Sequence, residues 1–339
     1  MKKILITGAG GFLGFEIAKL LTENKNLKVI NISRSHHVKL DEIGVETIKC
    51  DISNKEQVSQ IDLTDVEGIF HVAAIAGVWG KASDFYNVNF LGTKNLVDRA
   101  IESNMKHFIY TSTPSVVFGK DDIIAGDESL DYPEKYYTDY ARTKSMAEKY
   151  VRSKSSESFR TISIRPHLIW GGGDPHLIPR VLEKARTGKL KIVGEGDNLV
   201  DIIYVKNAAL AHLQAYNALL EKPELSGNCY FVGQERPVRL WDFINDILRR
   251  KNIRPLESSI SFKAAYIVGF LLEKVFKLVG IYHPEPPMTR FVAMQLAKSH
   301  YFSHEKAKED FGFEPKYSIE EALDLTFSQA PSSSYSIQN

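Results

Sequence analysis

A glycine-rich turn near the amino terminus restricts the fold of this chain more than any other feature. It directly follows a short apolar run and directly precedes a stretch with helical spacing. Glycine lets the backbone approach a pyrophosphate closely, and the helix that follows points free N–H groups at its negative charge. We therefore predict a dinucleotide-binding turn. It comprises Gly8, Gly11, Phe12, Leu13 and Gly14.

Short apolar runs alternate with helical patterns as far as about residue 170, which is typical of βαβ units around a parallel sheet. The predicted strands are Lys3–Thr7, Lys28–Ile32, Glu46–Lys49, Gly68–Val72, His107–Thr111 and Thr161–Arg165. The predicted helices are Phe12–Leu21, Val88–Ser103, Tyr140–Ser153, Pro179–Thr187 and Val205–Leu220. The sequence thus predicts an α/β fold, a Rossmann-type doubly wound parallel sheet with a smaller mixed C-terminal region.

The texture of the chain also predicts its domains. Residues 1–170 form the dinucleotide-binding domain, and 200–222 return to it as a helix. Residues 171–199 and 223–330 form a smaller substrate-binding region. The serine-rich end, 331–339, has little to bury and is predicted to be disordered.

Composition narrows the classes of partner and site. Charged residues make up 25% of the chain, but the net charge is only +1, so nothing indicates a nucleic-acid partner. The two cysteines, Cys50 and Cys229, lie far apart without a metal-binding spacing, and we expect no metal site. The basic start lacks the long apolar segment of a secretion signal, so we expect a cytoplasmic protein.

The end of the second predicted strand indicates the cofactor. NAD enzymes usually place a carboxylate there, whereas this chain has Ser33 and Arg34. A guanidinium can bind a 2′-phosphate that a carboxylate would repel, so NADP(H) is favoured and NAD(H) stays an alternative. Asp51 and Ile52, after the third strand, are candidate adenine contacts. Asp51 could equally cap the next helix.

Tyr140 and Lys144 are the candidate catalytic pair. Residues four apart share a helix face, so both can reach one bound substrate. Tyrosine has a reference pKa near 10, and a neighbouring ammonium in a shielded site makes its proton easier to exchange. The spacing predicts a tyrosine that transfers a proton and a lysine that assists it and holds the nicotinamide ribose.

Hydroxyl groups follow the fifth predicted strand, at the sheet edge that faces ligands. We rank Thr113 first as the group that holds the substrate oxygen, ahead of Ser112 and Ser115, although such hydroxyls also bond to their own backbone. Asn89 could fix the active-site backbone or a water of a proton relay. It could as easily be an ordinary helix residue.

In this order, these motifs resemble the extended short-chain dehydrogenases/reductases over nearly the whole chain. More narrowly, they are similar to the branch of 3β-hydroxysteroid and sterol-4α-carboxylate 3-dehydrogenases, and within it to bacterial 2-alkyl-3-oxoalkanoate reductases. The resemblance implies that Ala73, Ala74 and Pro166 contact the cofactor. The segments that carry it are Asn89–Thr93, Ala76–Gly80, Tyr110–Val116, Arg165–Gly171, Val193–Asp201 and Pro286–Arg290.

The resemblance implies hydride transfer from NADPH to the 3-keto group of an alkylated β-keto acid, with Tyr140 protonating the oxygen. Oxidation of a 3β-hydroxyl on a sterol-like ring is the first alternative. Epimerisation or dehydration of a nucleotide sugar and a non-catalytic NADP(H) sensor are the others. Two departures from the family pattern stand out: His71-Val72-Ala73-Ala74 where Asn-Ala-Ala is usual, and Val117-Phe118-Gly119 where Val-Tyr-Gly is usual.

A strongly apolar helical segment, 264–279, suits an apolar, chain-like substrate. It could be a lid over the substrate, make peripheral contact with a membrane surface, help to build a dimer interface, or simply pack into the core. Its uncharged run is too short to cross a bilayer. We expect a hydrophobic small-molecule substrate and a homodimer.

Overall fold

The computed structural model describes residues 2–328, so the predicted disordered tail, 331–339, lies outside the described residues. Its strands are β1 Lys2–Thr7, β2 Leu27–Ser33, β3 Glu46–Lys49, β4 Val66–His71, β5 His107–Thr111, β6 Ile123–Gly126, β7 Arg160–Pro166, β8 Ile169–Trp170, β9 Ile192–Val193, β10 Leu199–Val200, β11 Ile203–Tyr204, β12 Asn228–Val232, β13 Val238–Arg239, β14 Ser259–Ile260 and β15 His300–Phe302. Its α-helices are α1 Phe12–Glu23, α2 Val38–Asp41, α3 Lys55–Ser59, α4 Ala82–Phe85, α5 Thr93–Glu102, α6 Asp139–Ser153, α7 Leu177–Arg186, α8 Val205–Glu221, α9 Leu240–Arg250, α10 Phe262–Leu278, α11 Arg290–Ala297, α12 Glu305–Phe311 and α13 Ile319–Ser328.

A seven-stranded parallel sheet forms the centre of the molecule, in the order β12-β7-β5-β4-β1-β2-β3. Helices cover both faces, so the predicted doubly wound α/β fold is confirmed. Strand β1 has an apolar centre, and its Ile4, Leu5 and Ile6 are fully buried. The order reverses between β1 and β4, and the crevice at the carboxyl ends of those two strands is where such sheets bind ligands.

Helix α8 packs against α1, β5 and β7, on one face of the large sheet. Alanines on its buried side, at Ala208, Ala209 and Ala211, allow this close approach. A smaller four-stranded sheet, β13-β10-β15-β6, joins β6 to three strands from the second half of the chain. Phe302 of β15 stacks on Phe231 of β12, so the smaller sheet packs next to the edge of the large one. The domain boundaries predicted from the sequence stay predictions.

The helix predicted over Val88–Ser103 is wrong in its first part. The chain instead forms a π-helical segment over Tyr86–Gly92 that continues into α5. The Thr93 hydroxyl donates to the Asn89 carbonyl oxygen over 2.7 Å within this segment. A β-carbon on Gly92 would lie 2.8 Å from Ile52, so the segment packs directly against the loop after β3. Apolar spacing does not distinguish such a widened turn from an α-helix.

Helix α10 is only partly packed against the rest of the protein. Its buried residues, Ala265, Gly269 and Glu273, are four apart, and many of its large apolar side chains face outward. Simple core packing of the whole apolar segment is therefore wrong. Within residues 2–328, the structure has no helix that is both long and apolar enough to traverse a bilayer. The cytoplasmic location and the homodimer stay predictions.

Candidate active site

An open pocket of about 400 Å³ runs along the carboxyl ends of the central strands. It brings together almost all of the residues that the sequence singled out. Those lining it are Gly8, Gly11, Phe12, Leu13, Gly14, Ser33, Arg34, Asp51, Ile52, Ala73, Ala74, Thr113, Tyr140, Lys144 and Pro166.

The backbone of the glycine turn packs so closely against neighbouring backbone that two of its positions have no room for a side chain. Gly8 has a φ of +77°, and a β-carbon on it would lie 2.8 Å from the amide nitrogen of Ala73. A β-carbon on Gly14 would lie 2.1 Å from the Gly8 carbonyl oxygen. Both positions therefore require glycine. Helix α1 begins at Phe12 without a side-chain cap, so its free N–H groups remain available to an anion.

Ser33 and Arg34 lie at the end of β2, with Arg34 exposed at the rim of the pocket. A third residue of this corner, His37, was not predicted from the sequence. Its Nε2 atom lies 3.2 Å from the Ser33 hydroxyl, and its ring lies directly against Gly10. Burial lowers the pKa of His37, and the charge of Lys39 adds to this effect.

Asp51 lines the pocket beside Ile52, but it does not cap the following helix, so that alternative is wrong. Helix α3 begins at Lys55, and its N-cap is Asn54, which accepts a hydrogen bond from the Gln57 N–H. The Asp51 carboxylate instead accepts bonds of 2.9 and 2.7 Å from the N–H and hydroxyl of Ser53. This turn holds the carboxylate at the pocket wall.

Helix α6 carries Tyr140 and Lys144 into the pocket together. The Thr138 hydroxyl caps the helix by accepting from the Ala141 N–H, which places Tyr140 in the first turn. One turn later, Lys144 Nζ donates a 2.6 Å hydrogen bond to the carbonyl oxygen of Thr111 and lies 4.2 Å from the centre of the Tyr110 ring. The phenol and the amine thus share one wall of the pocket.

Burial sets the electrostatics of this wall. It raises the pKa of Tyr140, and the nearby Thr113 hydroxyl counteracts part of the change. It lowers the pKa of Lys144 to about 7, although the charge of Glu148 opposes this. The lysine ammonium is therefore poorly solvated, and a developing phenolate or a ligand hydroxyl beside it would gain strongly from its charge.

Glu148 lies one further turn along α6, in a fully buried ion pair with Arg165 of β7. Arg165 donates from Nε over 3.0 Å and from Nη2 over 2.5 Å, and Tyr132 donates to the same carboxylate. Burial opposes ionisation of Glu148, but the charge of Arg165 and the hydrogen bonds that the carboxylate accepts together outweigh it, so the pKa of Glu148 is lowered. The negative charge thus remains beneath Lys144.

The hydroxyls after β5 are divided between two environments. Thr113 and Ser112 line the pocket, and Thr113 also caps the turn by accepting a 3.2 Å bond from the Ser115 N–H. Ser115 is buried beneath this turn, and its hydroxyl lies 3.3 Å from that of Thr113. The Thr113 hydroxyl lies beside Tyr140, and its predicted role in holding the substrate oxygen stays a prediction.

Asn89 is buried behind the pocket wall. Its side chain accepts a 2.8 Å bond from the Ile75 N–H and donates a 3.0 Å bond to the Ile75 carbonyl oxygen. Ile75 itself lines the pocket. Asn89 therefore fixes the backbone of the wall, which is the first of the roles considered for it.

The departure at His71 has a structural explanation. Its ring lies between two hydroxyls, 2.6 Å from Thr7 and 2.8 Å from Thr93, so it joins β1 and β4 to α5. Thr7 in turn accepts from the Ala73 N–H, at the start of a loop that lines the pocket. Burial, reinforced by the charge of Lys144, lowers the pKa of His71 to about 3.

We expect the stability difference between the wild type and His71→Asn to depend on pH, because His71 is neutral in the folded protein. A depressed histidine pKa favours the fold fully above the unfolded pKa of about 6.5, and the advantage falls as the pH drops towards 3. The difference in unfolding free energy between the wild type and the variant should shrink by about 1.4 kcal/mol per pH unit below about pH 6.5. Urea titrations at several pH values measure this difference. The contributions of the other histidines cancel because both proteins contain them. A constant difference down to about pH 5 would contradict this assignment.

The pocket also contains Asp174 and His176, which were not predicted from the sequence. The Asp174 carboxylate accepts bonds from the N–H groups of His176, Leu177 and Ile178, and so caps α7. His176 is exposed at the pocket mouth. The three glycines before Asp174 were the available signal, because they mark a turn directly after a strand that ends at the site.

Comparison with known proteins agrees with this geometry. Residues 5–264 match the 3-beta hydroxysteroid dehydrogenase/isomerase family. A 2-alkyl-3-oxoalkanoate reductase from Stenotrophomonas maltophilia is 38% identical over 95% of this chain and 97% of its own. One from Shewanella oneidensis is 40% identical over 94% and 84%. The mouse decarboxylating sterol-4-alpha-carboxylate 3-dehydrogenase is 32% identical over 96% and 90%.

Solved structures show the same fold at lower identity. The UDP-glucuronic acid 4-epimerase of Bacillus cereus, in complex with NAD, superimposes with a TM-score of 0.71 at 20% identity, over 96% of this chain and 97% of that one. The UDP-glucose 4-epimerase of Thermotoga maritima, with UDP-glucose, gives 0.73 at 21% identity over the same shares.

The protein is an NAD(P)-dependent oxidoreductase of the extended short-chain dehydrogenase/reductase class. Its fold, its glycine turn and the pocket wall that carries Tyr140 and Lys144 agree with this class. The chain belongs to the 3-beta hydroxysteroid dehydrogenase/isomerase family.

Proposed function

We propose that this protein uses NADPH to reduce the 3-keto group of a hydrophobic, 2-alkylated β-keto acid to a hydroxyl. The observation that carries the proposal is the pairing of Tyr140 and Lys144 on one pocket wall, together with two relatives named 2-alkyl-3-oxoalkanoate reductase that align over nearly the whole chain. Identity near 40% over this length supports a shared reaction more strongly than the fold does.

The residues of the pocket suit a dinucleotide and a carbonyl substrate. The bound nicotinamide supplies the hydride. Thr113 and Tyr140 hold the carbonyl oxygen, and Tyr140 gives it the phenolic proton as negative charge develops there. Lys144 stabilises the phenolate that remains and binds the ribose hydroxyls. Asn89 keeps the opposing wall in place through its bonds to Ile75.

The corner after β2 supports a preference for NADPH. Ser33, Arg34 and His37 lie together there, and the segment from Ser33 to His37 contains no carboxylate. A guanidinium, a hydroxyl and an imidazole provide several hydrogen-bond donors for a 2′-phosphate. Charge-assisted bonds from these groups would favour NADPH over NADH, which lacks that phosphate.

We expect Arg34→Ala to weaken binding of NADPH by about 10- to 150-fold, equivalent to the loss of one bond of about 1.5–3 kcal/mol to a charged group. Binding of NADH should change little, because NADH has no 2′-phosphate. Quenching of protein fluorescence by each nucleotide measures both affinities. Arg186→Ala removes another exposed guanidinium, at the end of α7, and is the control. Equal loss of NADPH and NADH affinity in Arg34→Ala would contradict the assignment.

Oxidation of a 3β-hydroxyl on a sterol-like ring is the second candidate, because the mouse sterol-4-alpha-carboxylate 3-dehydrogenase is 32% identical over most of both chains. A panel of 2-alkylated β-keto acids, 3-ketosteroids, 3β-hydroxysterols and nucleotide sugars, each with both cofactors, distinguishes the candidates. The proposal requires the highest kcat/KM for a β-keto acid with NADPH. A higher value for a sterol or a nucleotide sugar would overturn it.

A further inference from the structure

The largest group of exposed apolar side chains in the described part of the chain lies on and just after helix α10. Eight of the thirteen large apolar residues that are exposed fall within residues 267–281, and Leu271 and Leu278 are 56% and 87% exposed. A row of this kind is unusual on a surface that faces only water. The eight are Ile267, Val268, Phe270, Leu271, Val275, Leu278, Val279 and Ile281.

Positive charge accompanies this apolar row. Lys263, Lys274 and Lys277 are exposed on the same helix. The helix has one acidic residue, Glu273, which is buried and paired with Arg290 over 2.7 Å. The outward surface is therefore apolar and carries three positive charges without an exposed carboxylate.

The inner side of α10 is held firmly, so the outward side has a fixed orientation. A β-carbon on Gly269 would lie 2.5 Å from the backbone of Thr289, which brings α10 against the start of α11. Glu273 also accepts a 2.7 Å bond from the Arg290 N–H. The exposed row is thus a built surface of the folded protein.

Helix α10 also borders the loop that leads to the active site. Trp79 donates from its indole N–H to the Ile281 carbonyl oxygen over 3.1 Å, and its ring packs edge-on against Phe276. A small cavity between them is lined by Trp79, Thr138 and Lys277, and Thr138 caps the helix that carries Tyr140. The α10 side of the molecule therefore lies next to the start of the helix that carries Tyr140.

We propose that the outward face of α10 docks on the surface of a bilayer that contains anionic phospholipids. The apolar row enters the boundary between headgroups and acyl chains, and the three lysines bind lipid phosphates. A second copy of the chain fits this face less well, because both copies would bring exposed lysines, and α10 brings no exposed carboxylate to pair with them. Docking would bring the pocket next to the bilayer, in which an apolar substrate dissolves. Binding of the protein to the membrane does not depend on which carbonyl the active site reduces.

The test uses the full chain with sedimenting vesicles of phosphatidylcholine, with or without phosphatidylglycerol. We expect the wild type to sediment with the anionic vesicles at low salt, and to be released by added salt. The variant Leu271→Glu/Val275→Glu should lose this binding. Ile124→Glu, which places the same charge at an equally exposed apolar position on β6, should retain it.

A second pair of variants tests the charges. Lys263→Gln/Lys274→Gln should lower the partition coefficient on anionic vesicles by about 30-fold, whereas Lys55→Gln/Lys189→Gln should leave it unchanged. NADPH binding and turnover of a water-soluble β-keto acid should be normal in all of these variants, which separates this result from a failure of the proposed reaction. No binding of the wild type to anionic vesicles would overturn the proposal. So would a dimer in solution that Leu271→Glu/Val275→Glu dissociates without any vesicle binding.

Discussion

Replacing Tyr140 with phenylalanine is expected to lower kcat for carbonyl reduction by about 100- to 10,000-fold, the usual contribution of a positioned acid. The aromatic ring stays in the pocket wall, but the proton that the carbonyl oxygen must receive is lost. Thr113 alone would still bind the oxygen without protonating it efficiently. Consumption of NADPH at saturating substrate measures the effect.

Cofactor affinity distinguishes this loss from a general defect. We expect Tyr140→Phe to bind NADPH nearly as tightly as the wild type, since Lys144 and the glycine turn are unchanged. Tyr301→Phe, which removes a hydroxyl from the smaller sheet, serves as the control and should keep full activity. Unchanged turnover in Tyr140→Phe would remove the proposed proton transfer.

Glu148→Gln is expected to lower the free energy of unfolding by about 3–5 kcal/mol, because it leaves Arg165 buried without a counter-charge. Arg165 and Glu148 are 1% and 0% exposed, so water cannot take the place of the missing carboxylate. Urea unfolding at neutral pH measures the change. Glu257→Gln breaks an exposed pair with Arg254, and should cost at most about 1 kcal/mol.

The pH dependence identifies the charge as the cause. The pKa of Glu148 is lowered in the fold, so its contribution is present above the unfolded pKa and is lost as the pH falls through the folded value. The stability difference between the wild type and Glu148→Gln should therefore be constant near neutrality and shrink in acid. Equal stability of the two proteins at neutral pH would show that Arg165 is satisfied without Glu148.

The sequence predicted the large sheet and the pocket because both depend on local patterns. A glycine turn after an apolar strand, and a tyrosine four residues before a lysine, each place their atoms by short-range geometry alone. The carboxyl ends of parallel strands then meet at one edge, so residues as distant as Ser33 and Thr113 could be assigned to one site.

The features that the sequence did not predict depend on contacts between distant segments. His37 lies at the corner of the pocket after β2 because its ring packs on Gly10 and lies near Ser33. No sequence spacing predicts that contact. The widened turn at Asn89 likewise depends on its bonds to Ile75, fourteen residues earlier. Which side of α10 is buried was decided by Gly269 and Glu273 meeting α11.

An isotope-transfer experiment tests most directly whether the pocket reduces a carbonyl. It uses NADPH that carries deuterium at the transferable position of the nicotinamide. The substrate is a 2-alkylated β-keto acid, and mass spectrometry of the product locates the label. We predict one deuterium at C3 of the hydroxy acid for each NADPH oxidised, and almost no product with Tyr140→Phe. Product without deuterium at C3, or conversion without net oxidation of NADPH, would contradict the reductase assignment.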